Sequence, residues 1–225
     1  MSIYVLGERS PQPAGGSYPV QHLLTTNKGK VYVEGPVEAE RLKQMDFLET
    51  LTNFRPAAQQ KKALVTLAGD MDGMVFIARL ESTVLGYITF HDPDFPWWRH
   101  TGLEELMELG GLEVAPQWRG SGISTQLFKS LFRNEDFLFF EDRIVMNIQT
   151  LHCWDLCHAT QSPWQYRNMM QKMLERFDFQ VAKTDDPEIR EHPANLLMVR
   201  LGNNVSEEAR ASFFDLCTSR SRSKK

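Results

Sequence analysis

Leu112-Glu113-Val114-Ala115-Pro116-Gln117-Trp118-Arg119-Gly120-Ser121-Gly122-Ile123-Ser124 reads as a strand, a glycine loop and the start of a helix. The apolar run Leu109 to Val114 is strand-like, and Pro116 ends it because proline cannot donate to a sheet ladder. From Ile123 onward, Leu127, Phe128, Leu131 and Phe132 recur at helical spacing and make one apolar face. Gly120 and Gly122 let the backbone approach a ligand without an intervening Cβ. The free amides and positive dipole end of the helix then converge on one spot, which suits an anion, here expected to be a diphosphate.

Two phosphate-binding patterns are excluded. A P-loop requires lysine after its last glycine, and none follows Gly122. The dinucleotide fingerprint requires glycine at 125, where the chain has Thr125. What is left is Gln-x-x-Gly-x-Gly, carried by Gln117, Gly120 and Gly122 with Arg119 inside it.

Outward from this stretch, Lys30 to Glu34 alternates as a short strand stopped by Gly35-Pro36. Helices are expected from Val37 and over Ala57 to Leu67. A hairpin follows, with arms Met74–Ala78 and Val84–Phe90 rich in β-branched and aromatic residues. The spacing then predicts a short helix over Leu103–Glu108, the central strand, and a further strand over Ile144–Ile148. Ser162-Pro163-Trp164-Gln165 carries a capping-box signature, and its helix has a methionine stripe read as core packing. Strands over Phe179–Ala182 and Leu196–Leu201, a short helix opened by Asp186-Pro187, and a last amphipathic helix over Ser206–Cys217 complete the order. The fold class is therefore α/β, a mixed sheet with helices on both faces. Residues 1–29 read as an irregular, flexible extension, residues 30–202 as the domain, and residues 203–225 as a C-terminal helix with a basic tail.

Composition limits the function classes. Lys+Arg 25 against Asp+Glu 29 gives a net charge of −4, which does not suit a nucleic-acid partner. Three cysteines are too few for a disulfide framework and fit a reducing compartment. No signal peptide or membrane-length apolar run is read, so a cytoplasmic location with no membrane partner is expected. Cys153 and Cys157 with His152 and His158 form half of a zinc pattern, but no second pair exists, and no metal is expected. The Trp97-Trp98 pair is read as buried loop packing.

The Gln117, Gly120, Gly122 pattern resembles the coenzyme A loop of the GNAT N-acetyltransferases, with Ser124 where many members carry a third glycine. The element order is similar to the GNAT fold, which implies a mixed, mostly antiparallel sheet. Further blocks, among them Val33-Glu34-Gly35-Pro36-Val37, Leu51-Thr52-Asn53-Phe54-Arg55-Pro56 and His192-Pro193-Ala194-Asn195-Leu196-Leu197-Met198, resemble the acetoin-utilisation acetyltransferases. The resemblance implies acetyl-CoA as cosubstrate and a lysine of a protein as acceptor, the family target being the active-site lysine of AMP-forming acetyl-CoA synthetase. It also implies that Leu112, Val114, Gln117, Trp118, Arg119, Gly120, Ser121, Gly122, Ile123 and Ser124 hold the coenzyme. The Val114 amide would stabilise the thioester oxygen as it gains charge.

Lysine is almost wholly protonated at neutral pH, and freeing its amine costs about 4.6 kcal/mol, from about 3.4 pH units at 1.36 each. A carboxylate that takes the proton offsets part of that cost. Glu113 is the expected base, since it points opposite Leu112 and Val114 directly before the loop; a structural ion pair with a neighbouring strand is the alternative. Glu104, Glu105 and Glu108 are rivals set aside on the expected solvated helix. Many GNAT members carry a tyrosine that protonates the leaving thiolate; Leu174 fills that place here, with Tyr166 two turns away. Two other readings remain, a small-amine acetyltransferase and a non-catalytic acyl-CoA-binding regulator of the synthetase.

Overall fold

The hairpin is the centre of the molecule. Its arms are β4 (Met74–Leu80) and β5 (Thr83–His91), and every residue of β5 between its two ends is buried. A strand buried on both faces needs covering layers on each side, and the chain supplies them. Even-numbered residues of β5 face one layer: Phe90 meets Phe132 of α3 (Ile123–Phe132) edge to face, with ring centres 6.1 Å apart. Odd-numbered residues Tyr87, Thr89 and His91 face the other layer, across from α2 (Ala57–Gly69).

A computed structural model describes residues 20–94, 98, 101–154 and 161–218. Among these, one sheet runs β1 (Val20–Thr26), β2 (Gly29–Gly35), β4, β5, β6 (Leu106–Val114), β7 (Ile144–Gln149), β9 (Leu196–Leu201) and β8 (Gln180–Ala182). A two-residue strand β3 (Asp46–Phe47) lies parallel to β5. The path is antiparallel except where β6 meets β7, so the sheet is mixed and mostly antiparallel, as expected. The remaining helices are α1 (Ala39–Gln44), α4 (Pro163–Glu175), α5 (Pro187–Arg190) and α6 (Glu207–Cys217). The capping box at Ser162 and Gln165 forms in full.

Two expectations are corrected. Residues 20–26 are not irregular: they form β1 and pair along their whole length with β2. The missed signal is the alternation in Val20–Thr26, whose Val20 is buried while Leu23 stays half exposed at the sheet edge. The predicted helix over Leu103–Glu108 is absent, and Leu106, Met107 and Glu108 belong to β6. Met107 and Glu108 pair with Val145 and Met146 of β7, and burial in that ladder outweighs the helical propensity of the segment.

Trp98 is buried as packing predicts, stacked on Phe213 at 5.7 Å and donating to Asp186 at 3.0 Å. Trp97 lies outside the described residues, as do Cys157, His158, residues 1–19 and the basic tail from Ser219. Among the described residues no helix is long and apolar enough to cross a membrane, and no cluster of three metal-ligating side chains occurs.

Candidate functional site

β6 and β7 begin as a parallel pair and then part. They are joined at Leu106–Ile144, Met107–Val145 and Glu108–Met146, and no farther. Beyond that point, the side chain of Asn147 bridges the gap, donating from Nδ2 to the Leu109 carbonyl at 2.9 Å. Gln149 donates to Asn147 Oδ1 at 2.5 Å and accepts from the Trp154 indole at 2.8 Å, so a polar chain lines the opening.

Ladder geometry decides what points into that split. Ala115 donates to the Leu85 carbonyl at 2.8 Å, which makes that pair a hydrogen-bonded one. Residues in an antiparallel ladder alternate, so the amides of Leu112 and Val114 turn away from β5 towards the gap. Both positions were expected to meet the coenzyme.

The glycine loop follows at the open end. Pro116–Trp118 forms one 3₁₀ turn, and α3 starts at Ile123. Gly120 and Gly122 adopt φ of +75° and +87°, and a Cβ at either would meet open space. Their role is therefore the left-handed backbone and an unobstructed face. The amides of Ile123, Ser124 and Thr125 lie in the first turn of α3, where the helix offers them no acceptor. Around them, Gln117 is fixed by the Thr50 hydroxyl, which donates to its Oε1 at 2.9 Å, and by Lys28, whose ammonium donates to its carbonyl. Lys28 also stands over the Trp118 ring at 5.6 Å. Arg119 donates from Nε to the Val114 carbonyl at 3.1 Å, and Ser121 from its hydroxyl to the Trp118 carbonyl at 2.5 Å. The cradle fits a linked diphosphate, with open amides, a helix N-terminus and a nearby guanidinium.

A cavity of about 830 Å³ opens from the split over the odd-numbered face of β5 to α2 and α4. Its charged lining is unbalanced: Asp70, Asp72, Asp92, Asp94 and Glu108 are acidic, Arg55 is basic, and His91 stands among them. Tyr166 and Leu174 are both on the wall, so a tyrosine of α4 does reach this space, stacked on Trp154 at 5.4 Å.

The two buried glutamates of β6 are placed differently. Glu113 is 4 % exposed and is not on the cavity wall; its Oε1 accepts from the Asn53 amide at 2.9 Å and its Oε2 from the Tyr87 hydroxyl at 2.7 Å. Burial, then the Glu113 carboxylate, pushes the Tyr87 phenol far above its usual range. Glu108 is 5 % exposed, lines the cavity, and accepts from the Asp94 amide at 3.2 Å. Burial raises its pKa, while His91 and the Asp94 amide pull it back. Sequence reasoning set Glu108 aside only because it placed the residue on a helix. The two glycines that follow it, Gly110-Gly111, are the signal that was available, since glycine inside a strand marks a bulge.

Residues 40–146 match the acetyltransferase (GNAT) family. The acetoin utilization protein AcuA of Bacillus licheniformis is 38% identical over 83% of this chain and 88% of its own length. AcuA of Bacillus subtilis is 39% identical over 84% and 90%. The crystal structure of an acetoin utilization protein from Exiguobacterium sibiricum superposes with a TM-score of 0.85 at 34% identity, covering 91% of this chain and 96% of that one. A split mixed sheet with a glycine loop at its open end, and relatives of this extent, show that the chain belongs to the GNAT acetyltransferase family and is similar over most of its length to AcuA.

Proposed function

We propose that the protein is an acetyl-CoA-dependent protein lysine acetyltransferase whose target is acetyl-CoA synthetase. The observation that carries the acyl-transfer chemistry is the juxtaposition at the β6–β7 split. Strand amides and a diphosphate cradle lie on one side of it, and a buried carboxylate in an acidic cavity lies on the other. The protein target rests on the likeness to AcuA, carried by sequence blocks outside the loop.

Gln117 to Ser124 hold the diphosphate, with Arg119 adding charge and Trp118 anchoring the loop in the core. Leu112 and Val114 present their amides to the acyl arm, and Val114 steadies the carbonyl oxygen as charge builds on it. Acetyl-CoA supplies an activated acyl carbon and a stable thiolate leaving group. Glu108 takes the proton that frees the lysine amine; the N–C bond then forms, the C–S bond breaks, and the second amine proton leaves to water or the thiolate. What favours Glu108 over Glu113 for this step is its place on the cavity wall, where burial raises its affinity for a proton. Glu113 has both oxygens engaged, and it orders Tyr87 and Asn53 instead.

Incubation with labelled acetyl-CoA and purified acetyl-CoA synthetase tests the reading. Label on one synthetase lysine, with loss of synthetase activity, is the expected result. Inhibition without label would replace it with a regulator acting by contact.

A further inference from the structure

Gln60 sits on α2 at the cavity wall, 5 % exposed, and its Oε1 has no hydrogen-bond partner among the described residues. A buried amide oxygen left unpaired is costly, and a fold that only needed to fill space would place leucine or methionine there. The oxygen is an acceptor, so the missing group is a donor. Just past the end of α2, Asp72 lines the same cavity as Asp92, whose pKa is raised by burial and then by Asp72 while His91 lowers it. Among the described lining residues, Asp70, Asp72, Asp92 and Asp94 stand on this side against Arg55 and His91, an excess of negative charge that selects a positive partner.

We propose that the α2 wall of the cavity is a recognition subsite for the acceptor, in which Gln60 Oε1 receives an N–H of the incoming lysine segment and the Asp72–Asp92 rim holds a basic neighbour of that lysine. This rests on the acyl-transfer reading and goes beyond it, because it names a specificity residue and the charge pattern around the modified lysine. The rim attracts the basic segment before docking, and Gln60 fixes its register once water has left.

The test uses two short blocked peptides, one with a lysine between two arginines and one with a lysine between two glutamates, titrated into the full chain by calorimetry. The arginine peptide should bind at least tenfold more tightly. Gln60→Met should cut its affinity about tenfold, the size of one charge-assisted hydrogen bond. Gln60→Met should also melt at the same or a higher temperature, because an orphaned polar atom has been removed. Asp72→Asn with Asp92→Asn should shrink the preference between the peptides without changing the fold. Equal binding of the two peptides, unchanged affinity in Gln60→Met, or a lower melting temperature in that variant overturns the inference. Tight, charge-selective binding with no acetyl transfer from acetyl-CoA leaves the subsite supported and sinks the acyl-transfer reading alone.

Discussion

Glu108 and Glu113 stand on the same face of β6 although five residues separate them, a spacing that puts side chains on opposite faces of an unbroken strand. Glu113 pairs with Tyr87 and Glu108 with His91, four residues apart on β5, so β6 carries one extra residue between them. The bulge falls at Gly110-Gly111. A Cβ on Gly110 would lie 2.3 Å from His91 Nε2, so glycine there lets the strand pass over that ring without displacing it. One extra residue thus brings both carboxylates to the α2 side of the sheet and gives them different neighbours.

Glu108→Gln is expected to lower kcat/KM for acetyl transfer by about 10²–10⁴-fold, the usual worth of a positioned base. In the wild type, kcat/KM should rise with pH through a value above the ordinary carboxylate range, and that limb should vanish in Glu108→Gln. The stability effect has the opposite sign. The folded chain holds this proton more tightly than the unfolded one, so the contribution is fully present below the unfolded pKa and is lost as pH rises through the raised one. Urea melts across that window should show a shallower fall with pH in Glu108→Gln than in the wild type.

Glu113→Gln should behave as a structural change. It replaces an acceptor of two hydrogen bonds with a group that accepts at one atom only, costing about 1–2 kcal/mol in chemical denaturation. Its kcat/KM should fall less than tenfold. A loss as large as that of Glu108→Gln would return the base to Glu113.

Gly110→Ala and Gly122→Ala separate the two halves of the site. The first forces a methyl against His91 and Thr89 and should destabilise by about 1–3 kcal/mol while reducing turnover more than acetyl-CoA affinity. The second meets no atom, but its φ of +87° costs an L-residue about 1–2 kcal/mol. Its loss should appear in acetyl-CoA affinity, measured by calorimetry.

Cys217 is 1% exposed, and burial pushes its thiol up to about 12. Iodoacetamide at pH 8 should leave the peptide containing Cys217 unmodified in the native chain and alkylate it fully in urea, read by mass spectrometry. Native labelling at Cys217 would show that α6 opens readily.

Buried Glu34 accepts from both Nε and Nη2 of Arg79, at 2.9 Å each, and from Arg41 at 3.0 Å. Glu34→Ala leaves Arg79 without its carboxylate in a nearly closed site and should cost about 3–5 kcal/mol. Equilibrium urea unfolding measures the loss.

Local patterns were legible wherever a single segment carried its own signal. The glycine loop and the apolar face of α3 follow from residues a few positions apart, as do the β4–β5 hairpin and the capping box at Ser162. So did the family, because its loop motif is contiguous. The strand over Leu109 to Val114 is legible in its apolar run, yet the residues from Leu106 to Glu108 read as helix, since propensity alone cannot register a partner strand nearly forty residues away.

What no segment contains is the relation between segments. The parting of β6 from β7, the bulge that aligns Glu108 with Glu113, and the cavity that has both Glu108 and Gln60 on its wall all arise when distant strands and helices pack. Side-chain periodicity states which face a residue takes within its own strand. Register against a neighbour, shifted here by one residue at Gly110-Gly111, decides what that face meets.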